Sequence, residues 1–313
     1  MVPFFTRRRF LATTLAASAP VLLSSRATAA GVSQKYAGLK SRRFLGKTEV
    51  LAEVVDEKVF TEGPAWAGDG RLLFTNVPAA KILAWNTGAR SLSTYREESN
   101  LANGLFFDSN GDLLACEGGA GRVTRTEMKS GMLTVLADKY NNFPFAAPND
   151  LCQDRQGRIY FTSRPGVEDP STGNVNAVYR IDPGGAVTQL LKWPEIHMPN
   201  GIVISPDNKT LYLIEAHPDA GHNRLIYAYQ LDSRDCWTKP RTLINFAPGR
   251  SGDGMCIDSE GNLYIAAGLH KTRKTSETLD TRPGIHVISP TGRLLDFART
   301  PVDTITNCAF GGK

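Results

Sequence analysis

The sequence is poor in the side chains that many hydrolytic chemistries need. Only five histidines occur, at 197, 217, 222, 270 and 286, with no H-E-x-x-H and no other zinc-ligand spacing. No G-x-S-x-G is present, and Gly249-Arg250-Ser251-Gly252 lacks that pattern, which argues against a serine nucleophile on a strand-to-helix elbow. The five cysteines, at 116, 152, 236, 256 and 308, include no C-x-x-C, and their odd number leaves at least one thiol unpaired. Cys152 and Cys256 sit in apolar, strand-like stretches and read as small buried hydrophobes. Long apolar runs of helical period are missing, so the chain reads as nearly all β.

Clustered charge is also scarce. The formal net charge is +5, but residues 1–30 hold four arginines and no acid. The remainder carries 32 basic against 31 acidic residues, with no basic run suited to nucleic acid or an anionic membrane. The N-terminus has its own logic. Thr6-Arg7-Arg8-Arg9-Phe10-Leu11 leads into an apolar run ending at Leu23 and then Ala27-Thr28-Ala29. This order fits a twin-arginine export signal with a small-residue cleavage site over residues 1–30. The apolar run is short for a membrane span, so no stable anchor is expected. Export would place the chain in the periplasm or outside the cell, with the twin-arginine machinery as a transient partner. Such substrates cross already folded, which suits a fold without disulfides. Residues 31–48 form a polar, basic lead-in, and residues 49–313 have no linker that would split them.

What the chain has in quantity is a repeat. Glu62-Gly63-Pro64-Ala65-Trp66 leads through a Gly-Asp-Gly turn to Arg71-Leu72-Leu73-Phe74-Thr75. Asn103, Asn149, Asn200 and Asp253 each open a similar unit: a short apolar strand, an Asp/Asn/Gly turn, then a second strand rich in aromatic and β-branched residues. A sixth start appears at Asn307-Cys308-Ala309-Phe310. The anchors are 41, 46, 51, 53 and 54 residues apart, the period of a four-stranded propeller blade. The expected fold is a six-bladed β-propeller over residues 49–313. Only six residues follow Asn307, so the sixth blade is incomplete at the C-terminus, and Glu49–Val54 is expected to serve as its outer strand.

In a propeller the first strand of every blade lines the central channel, so the six anchors converge. Glu62, Asn103, Asn149, Asn200, Asp253 and Asn307 amount to two carboxylates and four amides. Converging carboxylates repel one another unless a cation lies between them. Oxygen donors with a total charge near −2 suit one hard divalent ion, with Ca²⁺ expected and Mg²⁺, Mn²⁺ or Zn²⁺ as alternatives. The competing reading of the same residues is turn formation, since Asn-Gly and Asp-Gly are common turn dipeptides.

Glu62-Gly63-Pro64-Ala65-Trp66, Pro148-Asn149-Asp150-Leu151, Pro199-Asn200-Gly201-Ile202 and Asp253-Gly254-Met255 together resemble the gluconolactonase/regucalcin family of six-bladed propellers. That resemblance implies a metal-dependent hydrolase that opens a lactone. It implies Glu62, Asn200 and Asp253 as metal ligands, Asn149 as a fourth ligand or a substrate contact, and Asp253 also as the general base. Asn103 would line the substrate pocket more distantly. Two positions depart from the family pattern: Ala147 stands where the regucalcin branch has a substrate-holding arginine, and Cys116-Glu117-Gly118 stands where many relatives have Cys-Glu-His. His217 and His222 flank a loop after the fourth unit's second strand and could touch substrate at the rim. The rival readings are a binding propeller with structural calcium and a phosphotriesterase-like hydrolase using the same ion.

Overall fold

The computed structural model describes residues 9–14 by backbone alone, then 34–39, 43–165, 169–173, 175–232, 237–301 and 304–312. Among these, helix is confined to three-residue 3-10 turns, and no helix is long and apolar enough to cross a membrane. The sheets are antiparallel meanders, one per repeat. Five are complete four-stranded blades, with inner strands Thr61–Trp66, Ala102–Phe107, Pro148–Gln153, Pro199–Ile204 and Gly252–Ile257. The fold is thus an all-β propeller with five complete blades rather than six.

Among the described residues, the sixth position holds an inner strand, Ile305–Gly311, in a two-stranded sheet. Thr306 Oγ1 donates to the Thr61 carbonyl at 2.7 Å and so joins this strand to the first blade. Its other edge pairs antiparallel with Arg9–Thr14, which lies inside the segment expected to be an export signal. The rest of that segment falls outside the described residues. Glu49–Val54 is not the expected outer strand. It runs without regular pairing and packs Leu51 and Val54 on Leu72, Phe74, Leu83 and Trp85 of the first blade. The physical reason is packing: the first blade's outward face is apolar, and Leu51 and Val54 cover it where a strand edge would otherwise have been sought.

Alternation within each strand sends apolar side chains to both faces, because each blade is sandwiched between two others. Leu73, Ile82, Leu105 and Leu113 fill the seam between blades one and two, and Ile202, Leu211, Leu213 and Tyr160 that between three and four. Ile214, Ile226, Met255 and Ile265 fill the next. Cys116, Cys152 and Cys308 are buried free thiols within this packing. Cys256 Sγ lies 3.7 Å from Cys308 Sγ without a bond, and Cys236 lies outside the described residues.

One irregularity recurs in all five complete blades. In the pairing of inner and second strands, two inner residues stand opposite one, between Glu62 and Ala65, Ala102 and Leu105, Pro148 and Leu151, Pro199 and Ile202, and Gly252 and Met255. These breaks coincide with the anchors. A bulge re-aims a side chain out of the pleat, and Pro64, which has no N–H to give, is tolerated there.

Candidate active site

The bulges bring the anchors to the centre of the ring. Glu62, Asn200, Asp253 and Asn307 are buried, whereas Asn103 and Asn149 are half-buried. Neighbouring inner strands approach very closely there. A Cβ on Gly254 would overlap the Asn307 amide, and Gly63, at φ +50°, backs onto the Asn103 carbonyl. Glycine follows the anchor in four blades because nothing larger fits. Threonines of the second strands tie the ring: Thr75 Oγ1 donates to Asn103 O at 3.0 Å and Thr162 Oγ1 to Asn200 O at 2.9 Å.

The third blade breaks this rule. Where its neighbours have glycine it has Asp150, also buried. The Asn307 amide donates to Asp150 Oδ2 at 3.4 Å, and the backbone N–H of Leu151 donates to Oδ1 at 2.9 Å. Burial pushes the Asp150 carboxyl up to about 7, with the Asp253 charge adding to the effect. Burial also drives Glu62 well above the usual carboxylate range, followed by repulsion from Asp253 and Asp150. Glu62 and Asp150 therefore share one poorly solvated region with Asp253, whose charge adds to the cost of ionising them.

Asp253 is compensated directly. Arg250 Nη2 donates to its Oδ2 and Asn200 Nδ2 to its Oδ1, while Arg250 Nη1 reaches the Ile305 carbonyl at 3.0 Å. Reading the sequence missed both Arg250 and Asp150 as site residues. Asp150 carried a signal, since aligning the repeats shows it breaking a run of post-anchor glycines. Arg250 sits on the approach to the fifth inner strand and had no counterpart to betray it.

Among the described residues, no three His, Cys, Asp or Glu side chains already frame a metal ion. The donor chemistry at the centre nevertheless fits one. It is oxygen alone, from Glu62, Asp150, Asp253 and the anchor amides, and it carries excess negative charge that a hard divalent cation would offset. Glu117, beside the expected Cys-Glu-His position, has a different role. It is fully buried and accepts from Arg96 at 2.7 Å, Arg122 at 2.8 Å, and Asn100 and Thr124 at 3.0 Å. His217 and His222, with His197, line a pocket at the rim. His270 bonds the Thr300 carbonyl at 2.9 Å, and His286 lies fully buried against the Tyr36 hydroxyl at 2.8 Å.

This architecture matches a known family. Residues 60–313 match the model of the SMP-30/Gluconolactonase/LRE-like region. The chain belongs to that family. Among its SMP-30/gluconolactonase relatives, a gluconolactonase of Zymomonas mobilis is 27% identical over 292 residues, covering 85% of this chain and 76% of the relative. A regucalcin of Xenopus laevis is 26% identical, covering 80% of this chain and 79% of its own. Among solved structures, a gluconolactonase from Xanthomonas campestris superposes with a TM-score of 0.67 at 27% identity, covering 82% of this chain and 81% of that one. A regucalcin from Agrobacterium tumefaciens, described as a calcium-binding protein, shares the fold with a TM-score of 0.64 at 19% identity, over 82% and 79% of the two chains.

Proposed function

We propose that this chain is a metal-dependent lactonase whose site is the ring centre. The observation that carries the reading is the convergence of buried Glu62, Asp150 and Asp253 with the amides of Asn200 and Asn307, in a chain whose relatives include gluconolactonases. Glu62, Asn149, Asn200 and Asp253 would hold a divalent ion, Ca²⁺ being the best match to oxygen donors, and Asp150 joins them as a charge at the same place. When bound, the ion would supply Lewis acidity toward the lactone carbonyl.

The chain's own residues do the rest. Asn103 and Asn149, the half-buried anchors, orient the substrate by hydrogen bonds. Asp253 takes a proton from the attacking water, and Arg250 and Asn200 fix the direction in which its carboxylate faces. Water oxygen joins the carbonyl carbon, the ring C–O bond breaks, and the proton held by Asp253 passes to the released alkoxide. The test is hydrolysis of glucono-1,5-lactone and a small lactone panel, followed by pH indicator, in chelated protein reloaded with Ca²⁺, Mg²⁺, Mn²⁺ or Zn²⁺. Asp253→Asn should lower turnover by roughly a hundredfold or more while the protein stays folded. Full activity in that variant with metal still bound would end the base assignment. Silence on every lactone with metal bound would favour the phosphoester or binding-propeller reading.

Residues 1–30 would direct export by the twin-arginine route, supported by Arg7-Arg8-Arg9, the apolar run and Ala27-Thr28-Ala29. Cell fractionation tests this. Replacing Arg7 and Arg8 with lysine should hold the protein in the cytoplasm, and an unchanged periplasmic yield would contradict it.

A further inference from the structure

Between the third and fourth blades, at the end where the anchors lie, is a pocket of about 120 Å³. Pro165, Trp193 and Met198 give it apolar walls, and His197, His217 and His222 give it polar ones. It adjoins two of the proposed ligand strands. Met198 lies two residues before Asn200. The Arg164 backbone N–H bonds the carbonyl of Ala147, two residues before Asn149, at 3.0 Å.

Arg164 is half-buried, and its guanidinium reaches the pocket wall at Met198 Sδ, 3.7 Å away. That thioether is a weak acceptor. Among the described residues it is the side-chain contact Arg164 makes, and no carboxylate lies within ion-pair distance. Other buried or partly buried arginines face a carboxylate or carbonyl oxygens. Arg96 and Arg122 share Glu117, Arg158 faces Asp154, Arg250 faces Asp253, and Arg224 is filled by carbonyls of residues 217, 218 and 248. A guanidinium half out of water with only sulfur beside it is a strong unused donor.

The imidazoles add donors of their own. His217 Nδ1 accepts from the Asp219 backbone N–H at 3.2 Å, so its proton sits on Nε2. His197 Nδ1 and His222 Nδ1 are 2.7 Å apart, so one donates and the ring that accepts carries its proton on Nε2. The rings of His217 and His222 stack at 3.8 Å, and Arg224 holds the His217 carbonyl at 2.9 Å, which orders the group before any ligand arrives. Glu215 lies below, fully buried, and accepts from the His197 backbone N–H at 2.8 Å.

We infer that this pocket receives the anionic group of the substrate through Arg164 and the histidines, so that the chain opens acidic lactones, those carrying a carboxylate beside the ring, in preference to neutral ones. The inference rests on the lactonase reading above and narrows its substrate class.

The probes are 5-oxotetrahydrofuran-2-carboxylate and its carboxamide, nearly the same in shape but one anionic and one neutral. Metal-loaded wild-type protein should open the acid with kcat/KM at least roughly tenfold above the amide. Arg164→Gln should bring that ratio near one, and Arg164→Lys, which keeps the charge but not the fork, should fall between. Equal treatment of the two probes by wild type would overturn the proposal, as would Arg164→Gln slowing both by the same factor while Arg164→Lys retains no preference. If wild type opens neither probe but opens glucono-1,5-lactone with metal bound, this proposal is overturned; if it opens no lactone at all, the lactonase reading itself has failed. Calorimetry with the opened diacid, 2-hydroxyglutarate, then judges the subsite alone. Binding weakened tenfold or more by Arg164→Gln sustains it, and no binding to wild type overturns it.

Discussion

Asp150 puts a third carboxylate among buried groups that already repel one another. Without a cation that charge opposes folding; with one it strengthens binding. Asp150→Asn is therefore expected to act with opposite signs on two measurements. Its melting temperature in chelator should rise, while its divalent-ion affinity should fall by roughly tenfold or more. Calorimetric titration and a thermal scan read these out, and an unchanged affinity would remove Asp150 from the site. The anchors Glu62, Asn103, Asn149, Asn200 and Asp253 were legible in the sequence because each sits at the same offset before an Asp/Asn/Gly turn. Arg250 was not legible, because it acts through the fold: its guanidinium bridges Asp253 and a carbonyl of the distant Ile305.

At the scale of the element, the bulged inner strand is the device that makes the site. Its one-residue slip, two inner residues against one of the second strand, lets an anchor leave the pleat, and the following glycine lets the next strand come close. Gly254→Ala should cost about 1–3 kcal/mol, because the added methyl meets the Asn307 amide. Denaturant unfolding measures it, and a neutral result would mean that the sixth inner strand is not seated as described. The first two strands of each complete blade followed from alternation and turn residues. Glu49–Val54 misled because alternation signals a strand only when a partner edge is available, and here the segment met a side-chain face instead.

At the scale of the whole molecule, five complete blades and a partial sixth built on Ile305–Gly311 make up the ring among the described residues. The fifth blade is steadied from outside by Tyr36, whose ring packs on Phe297 and whose hydroxyl meets His286. Burial pushes His286 down to about 3. The unfolded chain takes up that proton near pH 6.5 and the folded one does not, so stability is full above about 6.5 and lost as pH falls toward 3, by roughly 1.4 kcal/mol per unit. His286→Gln should flatten the acid limb of unfolding; an identical acid limb would show that His286 does not govern it. The repeat correctly told the class of fold, while its count of six anchors exceeds the five complete blades formed by the described residues, because an anchor marks an inner strand and not the three strands that complete a blade.

The most direct test of the account joins binding to turnover. Ca²⁺ is titrated into chelated wild-type protein and into Glu62→Gln while calorimetry follows uptake and a pH indicator follows lactone opening. The account expects both signals in wild type to saturate together at one ion per chain, and both to be lost in Glu62→Gln. Lactone opening that persists in chelated protein, or in Glu62→Gln without bound ion, would contradict it.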